Sequence, residues 1–475
     1  MVAIIYAAEM GESVAANLGR PEYSYYFVFK AFRAVLRRLA YVVETADPEK
    51  EVDALYERCK AMGEPCVFVS FAPPHKAPTG LRCPTISVIA WEFTTIPTDP
   101  FLGDRRNDWR NTLRRHAGAI MLSRVAARAV GIAMGSGFPV WAIPAPVWDD
   151  YVTLYESATI RTHSNGVDLV FAGRAIDFHR CDAPWVAPAQ HARFIEERSL
   201  PKCDEPIRIR IEGIIYTTVF NPLDGRKNWP DLVSAFVWAF KNAGDVTLVF
   251  KVIHGDFEKV RELVTDEVFK LMPFKCRVVV LHGYLNDTEY AKLIRESTYV
   301  VNTSSAEGQC LPLAEFMSAG IPAISPAHTA MEEYIDADNS FVVRSSAEAA
   351  WWQHDIRQAF RTRRYRVDWE SLRDAYLESY RVATSDPARY ARMARRAVES
   401  LRGYCSQARV EARLASVLRE RATAIHEPQS TGRKLWCMVA RPIWKFWTFV
   451  AAPELQSVMS AARSRGVRSS PDAKN

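Results

Sequence analysis

The chain has 475 residues, 48% of them hydrophobic and 24% charged, with 27 Pro and 21 Gly, a composition that excludes collagen-like, coiled-coil and wholly disordered chains and leaves room for two or three domains. The formal net charge of +6 is carried by residues 430–475, where eight basic residues face two acidic ones, so the body through residue 429 is neutral and no nucleic-acid partner is expected. Nine scattered cysteines with no Cys-x-x-Cys predict neither a disulfide framework nor a clustered zinc site, and fit a reducing, cytoplasmic compartment.

The opening run Val2–Ala7 has no Lys or Arg before it and Glu9 and Glu12 after it, which predicts a first β-strand rather than a signal peptide. Further strand-like runs follow at 41–44, 66–71, 85–90 and 119–122, with helical stretches near 24–39, 49–61 and 108–116 between them. Residues 151–213 interrupt this rhythm. Gly166 suggests a hairpin over 159–176, and a loop bearing Pro and Cys follows near 181–206, so the stretch reads as an inter-domain insert.

From Ile214 onward the alternation returns, with strands at 214–220, 247–253, 277–281, 299–302, 321–325 and 341–343. Helices are predicted near 229–242, 257–271, 287–296, 312–319 and 329–335. The first of these has Asn228 as its N-cap, Pro230 in its first turn and apolar residues at 232, 233, 236, 237 and 240 on one face. Strict β-α alternation predicts parallel sheets covered by helices, and two such doubly wound domains leave a ligand cleft at the carboxyl ends of their strands. Beyond residue 345 the chain reads as helical and rich in Arg to about 420. The predicted divisions are 1–150, 151–213, 214–385, 386–425 and a basic aromatic tail, 426–475. The most apolar long stretch, Leu435 to Ala452, is broken by Arg441, Pro442 and Lys445, so no membrane span is expected.

Two segments carry the chemistry. In Ser304-Ser-Ala-Glu307-Gly308-Gln309-Cys310-Leu311-Pro-Leu-Ala-Glu315, a strand ends, a loop presents Glu307 at its carboxyl edge, and Pro312 opens a helix whose start offers free N–H groups to an anion. Glu315, in the first turns of that helix, can accept two hydrogen bonds from a ribose diol; a loop charge and a helix-dipole carboxylate would be the bland account of the two acids. Upstream, Asp224-Gly-Arg226-Lys227 delivers a guanidinium and an ammonium to a helix start, either as a diphosphate clamp or as two solvated loop cations. Asp336 and Asp338 form an Asp-x-Asp triplet, but a turn between helix and strand, after a capping box Thr329-x-x-Glu332, accounts for it, and no metal site is expected.

The segment from Ser304 to Pro322 resembles the Glu-x7-Glu signature of retaining, family 4-like glycosyltransferases with the GT-B fold, matching at Ser304, Glu307, Gly308, Leu311, Glu315, Met317, Gly320 and Pro322. The resemblance implies two Rossmann-like domains around a cleft and a helical C-terminal extension. It also implies transfer of a sugar from a nucleotide diphosphate donor, a GDP- or UDP-sugar, to a glycan or lipid-linked hydroxyl acceptor, with retention of configuration and no cofactor or metal. It assigns ribose binding to Glu315, donor-sugar contacts to Glu307, Gly308, Gln309 and Leu311, and diphosphate binding to Arg226 and Lys227. Gln309-Cys310 stands where many members have an aromatic residue followed by Gly. His282, in His-Gly-Tyr-Leu-Asn-Asp287, falls at the edge of the base pocket by the same resemblance. Trp91-Glu92 occupies the place of the active-site His of many relatives, with His75 beside the same cleft, and Gly19 falls in the first loop. Other GT-B enzymes, such as an epimerase or a phosphorylase, and a non-catalytic GT-B scaffold share this outline. The tail 433–452, with Trp436, Trp444 and Trp447 among basic residues, is expected to meet an anionic membrane surface, unless it packs on the N-terminal domain.

Overall fold

The computed structural model describes residues 1–7, 23–157, 162–179, 181, 199–200, 206–352 and 355–423. Its first sheet is six-stranded and wholly parallel, in the order β2 (Tyr41–Glu44), β1 (Val2–Ala7), β3 (Cys66–Phe71), β4 (Thr85–Ile89), β5 (Gly118–Met121), β6 (Val140–Ala142). Strands β3, β4 and β5 are buried on both faces, which is why they read as continuous apolar runs. Helices α1 (Tyr23–Leu39), α2 (Pro48–Ala61), α3 (Trp109–Leu113) and α4 (Arg124–Met134) alternate with these strands, and α5 (Trp148–Glu156) follows the sheet. Ser123 caps α4 through the N–H of Ala126, and Gly135 ends it at φ +86.

The second sheet runs β15 (Ser340–Val343), β14 (Ala323–Pro326), β13 (Tyr299–Val301), β10 (Ile207–Phe220), β11 (Val246–Val252), β12 (Arg277–Gly283), then β8 (Gly173–Phe178) and β9 (Ser199–Leu200). The strands from β15 to β12 are parallel. They alternate with α6 (Trp229–Phe240), α7 (Phe257–Phe269), α8 (Asp287–Glu296) and α9 (Leu311–Ser318).

Four expectations are corrected. The stretch 159–176 is not a hairpin: β7 (Ser164–Phe171) pairs antiparallel with the first half of β10, and β8 pairs antiparallel with β12. Strand β10 begins at Ile207 because Ile-Arg-Ile-Arg-Ile-Glu alternates buried and exposed side chains; at Gly213, φ +89, the register shifts and the strand passes into the parallel sheet. A β-carbon at Gly213 would lie 2.3 Å from the carbonyl oxygen of Asp245.

The region after 345 does not start as a helix. Strands β16 (Ser345–Ala350) and β17 (Thr362–Val367) form an antiparallel arm before α10 (Trp369–Ser385), α11 (Pro387–Cys405) and α12 (Gln407–Thr423). The capping box at Thr329 is also absent. His328 precedes a 3-10 turn over Thr329–Glu333 without a capping bond, Thr329 sits at φ +52, and its hydroxyl accepts instead from the N–H of Glu307 at 3.0 Å.

The two sheets share a boundary sewn by the C-terminal helices. Tyr404 of α11 packs with the core of the second sheet, while Val410, Leu414, Val417 and Leu418 of α12 pack with Phe29, Phe32, Val35 and Leu36 of α1. Asp149 accepts from the N–H of Gln407 at 2.6 Å, where α11 gives way to α12. Among the described residues no helix is long and apolar enough to cross a membrane. Gly19, most of the 181–206 loop and the tail 433–452 lie outside the described residues.

Candidate active site

Strand β10 ends at Phe220 and hands the chain to a tight 3-10 turn, Gly225–Lys227, whose N-cap Asp224 accepts from the Arg226 N–H. Asn228 then adopts a left-handed conformation, φ 47, and makes no capping bond to the backbone, correcting its expected role; its side-chain amide reaches Asp231 at 3.0 Å. The turn aims both cations toward the loop after β13. Lys227 Nζ lies 2.5 Å from Glu307 Oε1, and Arg226 lies 2.6 Å from Asp224, 3.1 Å from Glu92 and 3.1 Å from the carbonyl oxygen of Ala306. Glu92 belongs to the first sheet's side of the cleft, so this ion pair bridges the two halves.

Electrostatics follow from packing. Burial pushes the Glu307 carboxyl up, but Lys227 and Arg226 outweigh it and hold it below its ordinary range. For Glu92 burial wins over the Arg226 guanidinium, and its carboxyl is raised. Burial works against the charged Lys227, yet Glu307 raises its ammonium above the usual value.

Glu315 has a different setting. It projects from α9, is 9% exposed, and accepts a 2.7 Å hydrogen bond from Tyr290 of α8. Burial pushes its carboxyl up to about 7, against the Tyr290 hydrogen bond and the influence of Lys30. It does not share the salt-bridge cluster of Glu307.

The other expected residues divide. Gly308 passes so close to Trp91 that a β-carbon would sit 3.1 Å from that residue's carbonyl oxygen, a tight fit for any larger residue. Gln309 is 2% exposed and both ends of its amide are engaged, accepting from Ala145 N–H at 2.7 Å and donating to Ala145 C=O at 2.9 Å. It therefore clips the second half to the segment leaving the first. Cys310 adopts φ +61 as the N-cap of α9, a left-handed conformation that favours glycine. Leu311 is half-buried against the cores of both halves. His75 stacks on Trp109 at 6.4 Å, and Trp109 meets Trp91 at 4.5 Å, which sets it beside the Glu92 loop. His282 packs against Phe257 at 5.2 Å, its pKa lowered by burial, and the structure does not join it to the Glu307 group.

Sequence reasoning missed several partners. Asp224 precedes the cations in sequence and could have been read as a turn cap; Tyr290 and Thr329 carry no such signal. Among the described residues Lys251, 5% exposed on β11, bonds only to the neighbouring Val252 carbonyl at 3.2 Å, and burial pushes its ammonium down to about 8. His328 spans Ser304 C=O and Ser345 Oγ, both at 2.9 Å, and stacks on Tyr365 at 4.4 Å. Asp336 accepts from the N–H groups of Asp338 and Asn339, as a turn residue does.

Residues 215–358 match the sequence model of the family described as glycosyl transferases group 1. Anabaena Alr3699/HepE, solved in complex with UDP and glucose, is similar in structure at 13% identity over 88% of this chain and 100% of that one, with a TM-score of 0.50. A glycosyltransferase from Rickettsia africae ESF-5 is similar at 10% identity, covering 89% and 99%, with a TM-score of 0.51. A mutant of S. aureus TarM, in complex with fondaparinux, α-GlcNAc-glycerol and UDP, aligns with 74% of this chain at 11% identity and a TM-score of 0.44; the chain spans 55% of its length. No curated protein matches the sequence. The fold is an α/β GT-B fold, two Rossmann-like domains with C-terminal helices.

Proposed function

We propose that the protein transfers a sugar from a nucleotide diphosphate sugar to a hydroxyl acceptor, with retention of anomeric configuration and without a bound metal. One observation carries this reading: Lys227 pairs with Glu307, and Arg226 with Asp224 and Glu92, at the carboxyl ends of the second sheet, beside the start of α9 and facing the first domain. There the cations and the N–H groups of the helix would take the diphosphate. The UDP-bound structural relative favours a UDP-sugar among the donors considered. Glu315 would accept the ribose hydroxyls, and Glu307 would orient the sugar.

In the transfer step the bond from the anomeric carbon to the phosphate oxygen breaks, and the acceptor oxygen bonds to the same face of that carbon. The acceptor proton passes to the departing phosphate. Lys227 and Arg226 stabilise the charge that develops there, which requires Arg226 to loosen its hold on Glu92. The acceptor would be a growing glycan, in polysaccharide synthesis or on a lipid carrier at the inner face of the cytoplasmic membrane, with 433–452 assisting the attachment.

A panel of UDP- and GDP-sugars assayed by nucleotide release, followed by NMR of the anomeric proton in the product, tests the reading. One donor should support release that acceptor stimulates and EDTA leaves intact. An inverted product, or activity lost to EDTA and restored by metal, would overturn retention or metal independence respectively.

A further inference from the structure

The arm β16–β17 and the loop after Trp91 come from opposite halves of the chain and grip each other. Arg357 lies 3.1 Å from Asp99 and 2.7 Å from Asp355, and its guanidinium stacks over Phe101 at 4.6 Å. Thr95 Oγ1 donates to the Arg361 carbonyl at 2.8 Å, and the Trp352 indole N–H reaches Thr95 at 3.3 Å. Three large apolar side chains of these two segments are exposed. Leu102 is 69% exposed, Ile356 69% and Phe360 66%. Leu102 and Ile356 adjoin the Phe101–Arg357 contact directly. Leu102 is also held at φ +57, a backbone conformation that side chains with a β-carbon rarely adopt. Around these tips Arg105, Arg361 and Arg363 are exposed and no carboxylate among the described residues pairs with them.

We propose that this clasp is a docking surface for an anionic lipid bilayer, with Leu102, Ile356 and Phe360 entering the headgroup zone while Arg105, Arg361 and Arg363 meet lipid phosphates. The chemistry argues for a bilayer. Apolar tips set among unpaired arginines match an interface that is oily below and anionic above. A protein partner would be expected to meet a contiguous apolar patch with few charges at its centre. The clasp also bears on the cleft. The Tyr365 N–H donates to the Ser305 carbonyl at 2.8 Å, two residues before Glu307, and Thr95 lies three after Glu92. Docking here would hold the cleft mouth at the membrane, a consequence that rests on the proposed transfer to a lipid-borne acceptor.

The test is sedimentation of the full-length protein with vesicles of phosphatidylcholine, alone or mixed with phosphatidylglycerol, at low and high salt. The wild type should pellet with the mixed vesicles at low salt only. The variant Leu102→Ser/Ile356→Ser/Phe360→Ser and the variant Arg361→Gln/Arg363→Gln should each lose about tenfold in vesicle affinity, the scale set by a charge or two at an anionic surface. Both should keep the wild-type thermal midpoint and nucleotide release without vesicles. A full-length Trp444→Ser/Trp447→Ser variant separates the clasp from the tail. If it alone loses binding, or if the wild type ignores anionic vesicles, the proposal falls. If the clasp variants keep vesicle binding but no longer saturate with a soluble oligosaccharide, the surface is a glycan subsite and the proposal is equally overturned. Absence of nucleotide release from every form would sink the transferase reading alone and leave the vesicle result standing.

Discussion

Glu307 and Glu315 lie on one short stretch of chain and meet opposite surroundings. Glu307 sits in a knot where two cations, Arg226 and Lys227, face three carboxylates, Glu92, Asp224 and Glu307, at 2.5 to 3.1 Å. Glu315 has a phenol for a partner, and burial lifts it to about 7. The knot is already satisfied, so an incoming diphosphate must displace a carboxylate from a cation, and Glu92, which joins from the other domain, is the one that can leave with a small domain movement. Among the described residues Glu315 has one neutral donor and no cation paired with it, and gains from a ligand that donates hydroxyls. The first region exchanges partners on binding; the second acquires them.

The largest effect should come from breaking the knot's cationic side. Lys227→Ala is expected to lose about 2–4 kcal/mol of transition-state stabilisation, roughly a thirtyfold to thousandfold fall in kcat, with an unchanged far-UV circular dichroism spectrum. Near-wild-type turnover would remove the lysine from the diphosphate site.

Glu315→Gln should cost activity while adding stability. The folded carboxyl keeps its proton to about pH 7 and the unfolded one releases it near 4.5, so the folded state binds more protons between those values. The group's favourable contribution is complete below about pH 4.5 and is lost as pH rises through 7. The glutamine variant should therefore gain up to about 3 kcal/mol at and above pH 7 and nothing at pH 4, read by chemical denaturation. Equal gains at both pH values would show that the carboxyl is not perturbed.

The same comparison predicts how donor binding titrates. If ribose hydroxyls select the ionised form of Glu315, nucleotide affinity should weaken toward a limit of about tenfold per unit as pH falls below 7. That slope should flatten in Glu315→Gln, with calorimetry in two buffers showing proton release from the wild type only.

Glu92→Gln should have the smallest effect on binding and the opposite sign. Removing the carboxylate that competes for Arg226 is expected to tighten nucleotide binding by about 1 kcal/mol, roughly fivefold. Weaker binding would mean that Glu92 aids the donor rather than holding its place.

Much of this arrangement was legible in sequence because its parts are local. Glu307, Glu315 and the helix start lie within one loop-to-helix segment, and Arg226 and Lys227 within one turn; Cys66–Phe71 is a continuous buried run and Val2–Ala7 is mostly buried. The pairs that cross between domains were not legible. Nothing near Glu92 names Arg226 as its partner, and nothing near Gln309 announces that its amide closes on the backbone of Ala145. The arm escaped notice because Ser-Ser-Ala-Glu-Ala-Ala and Thr-Arg-Arg-Tyr-Arg-Val lack the apolar alternation of a half-buried strand, being fixed by contacts with Ser305 and Thr95. The early start of β10 was visible in the alternation from Ile207, but its charged residues masked a strand that is half solvent-facing.

The seating of α12 against α1 has a consequence for how the protein is made. The helix that covers Phe29, Phe32, Val35 and Leu36 is built from residues 407–423, so a ribosome has translated nearly all of the described chain before that apolar surface can be closed. Until then the nascent first domain displays an oily stripe that Val410, Leu414 and Leu418 close. Polar substitutions at those three positions should therefore lower soluble yield in cells more than their distance from the cleft would suggest.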